Sequence, residues 1–437
     1  MPWTRLLSVL LIFTPALLAQ PANLAGDWIF TLTQYGESEL HRIKIDRTGN
    51  DYRFELMGFT LTGAVNGDMV EFKCSYKGNV ETKSCGTLTG TASATELGGK
   101  GRVFDDDLTW KAVRENVPTA APQRREFVPT HFYRQFSGNI EPVEHINPGD
   151  TVHTQTVDAG GVDEKGVHRS QGGNPLTGPF YIEGAFPGDT IAIHLDRVRL
   201  NRDSAGIFND TIVYGALDPY YAHDMKPAKN FDSSWKLDSN AGYAQLTKAD
   251  DRLKNLRVGL RPMIGCIGVA PPGQQAFRSG NLGPYGGNMD YNQVREGATV
   301  YLPVFQEGAL LFVGDGHALQ GDGELTGNAL ETSMDVQFTV NLIRGKSIHQ
   351  PRFENDEYVM VSGIAGSLTD ALQSATTGLS RWLEQEYQLN VSDIAMLLAT
   401  SMRYDVAEVV DPQVHVVAKI PKSVLQQIAP SAGVANR

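Results

Sequence analysis

The chain has 437 residues, which predicts two or three domains at roughly 150 residues each. Hydrophobic residues make up 41% and charged residues 20% of the chain, which excludes a largely disordered protein. The formal net charge is −12 and no long Lys/Arg run occurs, so neither nucleic acid nor an anionic membrane surface is an expected partner.

Residues 1–19 have the layout of a secretory signal peptide. Arg5 supplies a positive charge, residues 6–18 form an apolar run too short to span a bilayer, and Ala19 is small and suits cleavage. An uncleaved membrane anchor is the alternative interpretation. No later stretch approaches the roughly 18 apolar residues that a spanning helix needs. We therefore expect a periplasmic or secreted protein with no membrane span after the signal is removed.

Residues 20–113 are predicted to form an all-β domain. Short runs rich in aromatic and β-branched residues, such as WIFTLTQ and MVEFKCSY, are separated by turn sequences such as TGN, NGD and KGN. This spacing is typical of a small barrel or sandwich. The opening LAGDWIF is weakly similar to the start of lipocalin-like barrels. No His cluster or carboxylate pair stands out here, so the domain is expected to bind or dock rather than to catalyse.

The sequence contains three cysteines, and export would place them in an oxidising compartment where disulfides form. Cys74 and Cys85 lie in neighbouring predicted strands, and in an oxidising compartment we expect them to pair, which would stabilise the fold by roughly 2–4 kcal/mol. Cys266 stands alone in GCIGVAPP. A small buried hydrophobe is favoured there over a nucleophile, because no His or Glu is adjacent.

Residues 114–126 are polar with two prolines and predict a linker to a second domain, residues 127–437. Strand-like runs such as TIAIHLDRVRL and MDVQFTVNLI fill that domain to about residue 350. Apolar residues then recur at helical spacing, and Ser392 is a candidate N-cap of a second helix. The helical stripe comprises Leu368, Leu372, Ala375, Leu379, Trp382 and Leu383. The predicted fold class is α+β, predominantly β, with late helices.

Four polar clusters in the second domain hold residues able to do chemistry. They are Asp158 with Asp163; Glu183 among apolar neighbours; Asn288 with Asp290; and GDGHALQGDGE at 314–324, which has Asp315, His317, Gln320, Asp322 and Glu324, with Glu331 beyond. Glycines let backbone approach a ligand, and His, Asp and Glu can hold a divalent ion that activates water. A free carboxylate can then carry a proton to a leaving nitrogen.

Each signal alone has a plainer interpretation. His317 alone is more often a hydrogen-bonded loop histidine, Glu183 a salt-bridge partner and Asp322 a turn residue. The motifs HExxH, GxSxG, CxxC and GxxxxGK[ST] do not occur in the sequence. Their absence counts against zincins, serine hydrolases and nucleotide-binding sites.

Longer motifs between about residues 127 and 425 resemble the acetamidase/formamidase family. They are NPLTGPFYIEGAFPGDTIAI, GCIGVAP, GGNMD, YLPVFQEGALLFVGDGHALQGDGE and VSDIAMLLATSMRYDVAEVVD. The resemblance implies a β-rich enzyme that hydrolyses short-chain amides, such as formamide and acetamide, to the carboxylic acid and ammonia. It also implies a metal-assisted site and a homo-oligomer, a dimer or higher. The expected cofactor is a divalent ion, with Zn²⁺ favoured and Ca²⁺ the alternative.

The resemblance places seven residues in the site. The metal-ligand candidates are His131, Asp158 and His317; the general-base and general-acid candidates are Glu183 and Glu324; and the residues expected to orient the amide or its oxyanion are Asn288 and Gln320. Asp322 is also placed near the site. Loop 159–175, with His168 and Arg169, is peculiar to this chain and lies beside the expected site, where a solvated loop is favoured over substrate contact.

The stretch 314–324 is expected to be the loop after a core strand that presents His317, Gln320 and Glu324 to an amide carbonyl and a metal-bound water. Two alternatives remain open. One is a non-catalytic ligand-binding protein on the same fold, and the other is a hydrolase of another linear C–N bond. This chain departs from the family pattern in its export signal, its N-terminal domain and loop 159–175. These departures bear on which substrate is expected and do not change the expected fold.

Overall fold

The computed structural model describes residues 22–115, 120–226 and 232–428. The chain divides into an N-terminal unit that ends at Glu115 and a C-terminal unit that begins at Asn116. The predicted signal peptide, residues 1–19, lies outside the described residues. Within those described ranges, no helix combines the length and apolar character that crossing a membrane requires.

The N-terminal unit is a closed barrel in which each strand pairs antiparallel with the next and the last pairs with the first. Its strands are β1 (Gly26–Gln34), β2 (Glu37–Thr48), β3 (Asp51–Leu56), β4 (Phe59–Asn66), β5 (Met69–Lys77), β6 (Thr82–Ala92), β7 (Glu96–Val103) and β8 (Asp106–Arg114). The small barrel predicted from short alternating runs is confirmed. In β3, for example, every second residue of DYRFEL is buried, as a one-sided strand requires.

Aromatic side chains fill the barrel. Phe30 stacks on Trp110 with ring centroids 5.5 Å apart, and Phe54 meets the edge of Phe72 at 5.0 Å. All four rings are almost fully buried, and each contributes about 1.5–3 kcal/mol through lost contact with water. The predicted disulfide between Cys74 and Cys85 is present and joins β5 to β6.

The C-terminal unit is built mainly of strands. In chain order these are β9 (Arg124–Glu126), β10 (Gln135–Ser137), β11 (Glu144–Ile146), β12 (Thr151–Gln155), β13 (Leu176–Ile182), β14 (Thr190–Leu200), β15 (Ser204–Gly206), β16 (Ser234–Asp238), β17 (Tyr243–Leu246), β18 (Val258–Gly259), β19 (Met263–Gly268), β20 (Ala276–Arg278), β21 (Leu282–Gly283), β22 (Gly286–Asn288), β23 (Thr299–Pro303), β24 (Leu311–His317), β25 (Glu331–Thr332), β26 (Met334–Ile343), β27 (Arg352–Glu354), β28 (Tyr358–Ala365), β29 (Arg403–Glu408) and β30 (Val414–Pro421). The helices are α1 (Pro219–Asp224), α2 (Leu368–Tyr387), α3 (Val391–Ser401) and α4 (Lys422–Leu425), with one 3₁₀ turn at Tyr214–Ala216.

Two large sheets share one apolar core. A nine-stranded sheet has the order β29-β30-β28-β27-β23-β14-β26-β12-β9. An eleven-stranded sheet follows the path β18-β17-β16-β15-β25-β24-β19-β22-β21, with β13 paired to β24 and β11 to β13. Leu311 and Phe312 of the second sheet pack in the same cluster as Ile191 and Phe338 of the first. Strands β19 and β24 are buried at every residue, so any polar side chain on them must find a partner inside the protein.

The late helices were predicted correctly in type, but two details differ. Helix α2 packs through Ala371, Ala375, Leu379 and Leu383, whereas Leu368 and Leu372 of the predicted stripe are exposed. The N-cap of α3 is Asn390 rather than Ser392, because the Asn390 side chain accepts hydrogen bonds from the backbone N–H groups of Ser392 and Asp393.

The linker predicted at residues 114–126 is shorter than expected. Arg114 is the last residue of β8, and Arg124–Glu126 form β9, which pairs in parallel with β12. Residues 116–119 of this segment lie outside the described ranges. The nine-stranded sheet therefore begins at β9, which lies at its edge and pairs with β12 through backbone hydrogen bonds. The polar composition of the segment alone does not reveal this pairing.

Candidate active site

The candidate site lies where β22, β24 and β25 come together in the eleven-stranded sheet. His317 ends β24 opposite Glu331 on β25, and Asn288 ends β22 opposite Cys266 on β19. Asp315 precedes His317 by two residues, so both side chains leave the same face of the strand. The sequence predicted a loop from Gly314. The strand instead continues to His317, because this buried backbone needs the hydrogen bonds that β19 and β25 supply.

His317 is fully buried among carboxylates. Its Nε2 atom lies 3.5 Å from Asp315 Oδ1 and 3.3 Å from Glu331 Oε2. Among the described residues, none of these three buried atoms has a hydrogen-bond partner. Buried polar atoms nearly always have a partner, so three that face one another without one form a candidate site for a cation.

Gln320 determines how His317 can act. The Gln320 Nε2 group donates hydrogen bonds to the backbone carbonyls of Asp290 and Ala407, so its Oε1 must face the imidazole. That oxygen lies 2.9 Å from His317 Nδ1 and accepts its proton. The proton is therefore held on Nδ1, and Nε2 is left to face Asp315 and Glu331 as a ligand atom.

The spacing of these atoms fits a divalent ion. Ligand atoms about 2.0–2.2 Å from tetrahedral Zn²⁺ lie about 3.3–3.6 Å from one another. The separations of His317 Nε2 from Glu331 and Asp315 fall in that range. An imidazole nitrogen among the ligands favours Zn²⁺ over Ca²⁺, which takes oxygen ligands.

A second group, Asp290, His317 and Glu324, also brings its ligand atoms close together. It would use His317 Nδ1, which lies 3.9 Å from Asp290 Oδ1. That nitrogen already donates to Gln320, so this group is the poorer metal site. Glu324 is therefore available for another role beside the first group.

Burial sets the protonation of the acids in the site. It raises the pKa of Glu331 and of Asp411 to about 7, and it raises the pKa of Glu324 well above its ordinary value. Burial lowers the pKa of His317, but the Glu331 and Asp315 carboxylates outweigh it and raise that pKa overall. Buried carboxyl groups this close together need either bound protons or a cation to balance their negative charge.

Asn288 holds carboxylates in place. Its Nδ2 group donates hydrogen bonds to Asp290 and, at 2.7 Å, to Asp411. Its Oδ1 accepts one from Asn174 Nδ2 at 2.9 Å. Both ends of the amide are engaged within the protein, so the geometry favours a positioning role for Asn288 over direct contact with a substrate amide.

Two neighbours complete this network. Asn174, the last but one residue of loop 159–175, also donates to Asp315 Oδ2 at 2.9 Å, so the loop does lie beside the site as expected. Elsewhere on it, His168 is exposed and Arg169 donates to Asp163 at 2.6 Å. Cys266 is fully buried, and burial raises the pKa of its thiol. The thiol therefore stays protonated, in line with the structural role expected from the sequence.

A cavity of about 310 Å³ opens onto the cluster. The carboxylates of Asp315, Glu324, Glu331 and Asp411 line it, together with Asn174 and the cation Arg278. Its volume lies at the lower end of the roughly 300–1,000 Å³ that small-molecule sites span. A larger cavity of about 600 Å³ lies beside α2, lined by Arg352, Trp382 and others, but the residues that line it hold no comparable group of histidine and acids.

His131 and Glu183 are not brought to the cluster. His131 is exposed and packs its ring against Tyr133, with centroids 4.6 Å apart. Glu183 is half-buried and forms a hydrogen bond with His145 Nδ1 at 2.8 Å. Its apolar neighbours predicted partial burial, which the structure shows, but β13 ends at Ile182 and the chain leaves the sheet at Glu183, away from the cluster. The geometry supports neither a metal role for His131 nor a base role for Glu183.

Asp158 and Asp322 also have other partners. Asp158 is buried, but it accepts hydrogen bonds from Arg202 Nη2 and from the backbone N–H of Val162. Arg202 already balances its charge, so it has no need of a metal ion. Asp322 is exposed and accepts a hydrogen bond from Asn292 Nδ2 at 2.7 Å.

The sequence placed Asp315 and Glu331 in a polar cluster but assigned neither a specific role, and it singled out neither Asp411 nor Asn174. The i, i+2 spacing of Asp315 and His317 could have revealed the role of Asp315. Glu331 reaches the site through strand register, and Asp411 comes from the turn between β29 and β30 in the other sheet. Neither the strand register of Glu331 nor the approach of Asp411 from the other sheet can be deduced from the sequence.

Gly265 leaves the space that two of the acids occupy. A Cβ atom there would lie 2.4 Å from Asp290 Oδ1 and 2.9 Å from Asp315 Oδ2. We expect Gly265→Ala to displace Asp315 and to weaken metal retention by at least about tenfold, measured by equilibrium dialysis with elemental analysis. Gly259→Ala is the matched control, because a Cβ at Gly259 meets nothing within 4 Å. Equal metal retention in the two variants would contradict the assignment of Asp315.

Comparison with known proteins identifies the same family that the sequence motifs resemble. The model of the Acetamidase/Formamidase family matches residues 123–282 and 273–427. The crystal structure of an acetamidase from Yersinia enterocolitica is 29% identical, with a TM-score of 0.61 over 71% of this chain and 96% of that one. The acetamidase from Bacillus halodurans is 26% identical, with a TM-score of 0.59 over 71% of this chain and 100% of that one.

A formamidase candidate of Schizosaccharomyces pombe is 25% identical over 255 residues. The match covers 45% of this chain and 60% of that protein, so the chain spans less than two thirds of this relative. The ranges that the family model matches contain every residue of the buried cluster, from Asn174 to Asp411.

Proposed function

The chain belongs to the acetamidase/formamidase family, and on that basis we propose that it hydrolyses the C–N bond of a short-chain amide to the carboxylic acid and ammonia. The observation that carries the proposal is the group of three buried, unpartnered atoms on Asp315, His317 and Glu331. These residues would hold a divalent ion, with Zn²⁺ favoured. Such an ion supplies a water of lowered pKa and polarises the amide carbonyl, which brings hydrolysis to neutral pH.

The surrounding residues orient the ligands and move the proton. Gln320 holds the proton on His317 Nδ1, and Asn174 fixes the Asp315 carboxylate. Glu324 lines the cavity and is not one of the three residues of the favoured group. Burial raises the pKa of Glu324, which favours the protonated carboxyl, and a protonated carboxyl at this place can deliver its proton to the leaving nitrogen.

We also propose that the protein acts outside the cytoplasm, in the periplasm or after secretion. Two features support export: the signal-like layout of residues 1–19, and the disulfide between Cys74 and Cys85, since such bonds persist in oxidising compartments. The homo-oligomer implied by the family resemblance stays a prediction.

Elemental analysis of the purified protein, paired with an ammonia assay, tests the proposal. We expect the mature chain to begin at Gln20, to hold stoichiometric metal and to release ammonia from formamide, acetamide or propionamide. A chelator should remove at least about 90% of turnover, because the ion lowers the barrier by several kcal/mol. Added metal should restore it.

Each other outcome identifies a different error. Metal without ammonia release from these amides would point to another linear C–N bond, which a wider amide panel would identify. Turnover that survives complete metal removal would refute the metal assignment. Neither metal nor turnover would favour a non-catalytic ligand-binding protein on the same fold.

A further inference from the structure

The two ends of the N-terminal barrel differ in chemistry. At one end, which we call the apolar end, the turns between β1 and β2, β3 and β4, β5 and β6, and β7 and β8 each carry an exposed apolar side chain. These are Tyr35, Met57, Val80 and Phe104. At the opposite end the turns at 49–50, 67–68 and 93–95 consist of glycine and small or polar residues.

Backbone geometry does not explain the large residues. Tyr35, Met57 and Phe104 have φ angles of 53°, 52° and 54°, in the left-handed region. Gly49 and Gly67 occupy the equivalent turn position at the opposite end, with φ angles of 65° and 67°. The left-handed conformation costs a non-glycine residue about 1–2 kcal/mol, so large side chains at the apolar end oppose local stability.

A cavity of about 190 Å³ opens at the same end. Leucines of β1, β3, β4, β6 and β8 form its walls, and Met57, Phe59 and Phe104 are among the residues that line it. Phe59 and Phe104 meet edge to face, with ring centroids 6.0 Å apart. Tyr35 and Val80 do not line the cavity. Two of the strained turn residues therefore contribute directly to an apolar site.

The charge at this end restricts what could enter. Asp106 is the charged residue among those lining the cavity, and Gln34 is its polar companion. The Tyr35 hydroxyl donates a hydrogen bond to Asp106 and holds the carboxylate there. Asp105 and Asp107 flank it in the chain. An anionic group near Asp106 would be repelled, whereas a neutral or cationic group would be accepted.

We propose that this cavity binds a small neutral or cationic molecule through one apolar group, either a single aromatic ring or a short alkyl chain. The volume supports this size, since an apolar cavity of about 150 Å³ is enough to bind benzene. Leucine walls supply the affinity, and Asp106 with Gln34 selects the polar end of the molecule. This binding site is independent of amide hydrolysis and stands whether or not the proposed function is correct.

Calorimetric titration of the full chain with benzyl alcohol, benzylamine and benzoate tests the proposal. All three carry one ring and differ in the charge of the polar end. We expect saturable binding at one site for the alcohol and the amine, and binding at least about tenfold weaker for benzoate. Absence of saturable binding by both the alcohol and the amine would overturn the proposal.

Variants locate the site. Met57→Gly and Phe104→Gly remove lining side chains at positions where glycine relieves the backbone, so we expect the melting temperature to be retained or raised. Each should weaken benzyl alcohol binding by at least about tenfold. Val80→Ser is the matched control, because Val80 is exposed at the same end but does not line the cavity. Unchanged affinity in both glycine variants would refute the cavity as the site.

A membrane surface is the competing explanation for exposed apolar turns. It predicts adsorption to phosphatidylcholine vesicles that Val80→Ser and Phe104→Gly weaken equally, with no saturable binding of benzyl alcohol. That pattern would overturn the small-molecule proposal. Benzyl alcohol binding that Phe104→Gly weakens and Val80→Ser preserves would support it.

Discussion

Replacing His317 by alanine is expected to abolish both metal retention and amide turnover. His317 supplies the nitrogen ligand of the proposed site, with Nε2 within 3.5 Å of both Asp315 and Glu331 oxygens. Without it, the Asp315 and Glu331 carboxylates face each other with no nitrogen ligand between them, and two ligands hold a divalent ion far less well than three. We expect kcat/KM for the best amide to fall at least about a thousandfold, with metal content falling below stoichiometry.

The matched control for this variant is His131→Ala. His131 is the other histidine that the family resemblance placed among the metal ligands, but it is exposed and packs against Tyr133. We expect His131→Ala to keep stoichiometric metal and turnover within about twofold of the parent protein, as surface substitutions usually do. Loss of metal in the His131 variant with retention in the His317 variant would reverse the assignment. Circular dichroism confirms folding, and His317→Gln gives the same test if the alanine variant unfolds.

The parts of the fold set by local pattern could be predicted from the sequence. Alternating strands and turn sequences predicted the small barrel, and helical spacing predicted α2. Both depend on neighbours within about ten residues. The end of β24 was misjudged for the opposite reason. Its glycines and polar residues are typical of a loop, but burial between β19 and β25 holds them in a strand.

Only those residues of the candidate site that lie close together in the sequence could be predicted. His317, Gln320 and Glu324 lie in one eleven-residue stretch, and the structure brings all three into or beside the cluster. Glu331 enters by strand register and Asp411 from the other sheet, so neither could be assigned from spacing. The structure pairs Asp158 with Arg202, a partner 44 residues away that balances its charge, and this pairing could not be read from the sequence.

Glu324 and Glu331 are two glutamates that line the same cavity, and the structure predicts different outcomes for their replacement. Glu331 Oε2 is one of the three unpartnered atoms of the proposed metal site, so Glu331→Gln should lose metal together with activity. Glu324 lines the cavity beside that group, so Glu324→Gln should retain stoichiometric metal. Its kcat should nevertheless fall by about a hundred- to ten-thousandfold, the usual contribution of a positioned proton donor, with KM little changed.

The pH profile separates a proton-transfer role from a structural one. Burial raises the pKa of Glu324, so the carboxyl keeps its proton to a higher pH than an exposed glutamate does and loses it as the pH rises through that raised value. A general acid must be protonated to act, so the parent protein should lose kcat on the alkaline side. Glu324→Gln cannot titrate, and that alkaline limb should be missing from its residual activity.

Asp322→Asn makes the same carboxylate-to-amide change two residues away, at an exposed position bonded to Asn292. It should leave kcat, metal content and the alkaline limb within about twofold of the parent values, as expected for a surface change. If Glu324→Gln also keeps its kcat, or if it loses the ion as Glu331→Gln does, the proton must reach the leaving nitrogen by another group. Asp411, whose pKa burial raises to about 7 and which lines the same cavity, would then be the carboxyl to replace next.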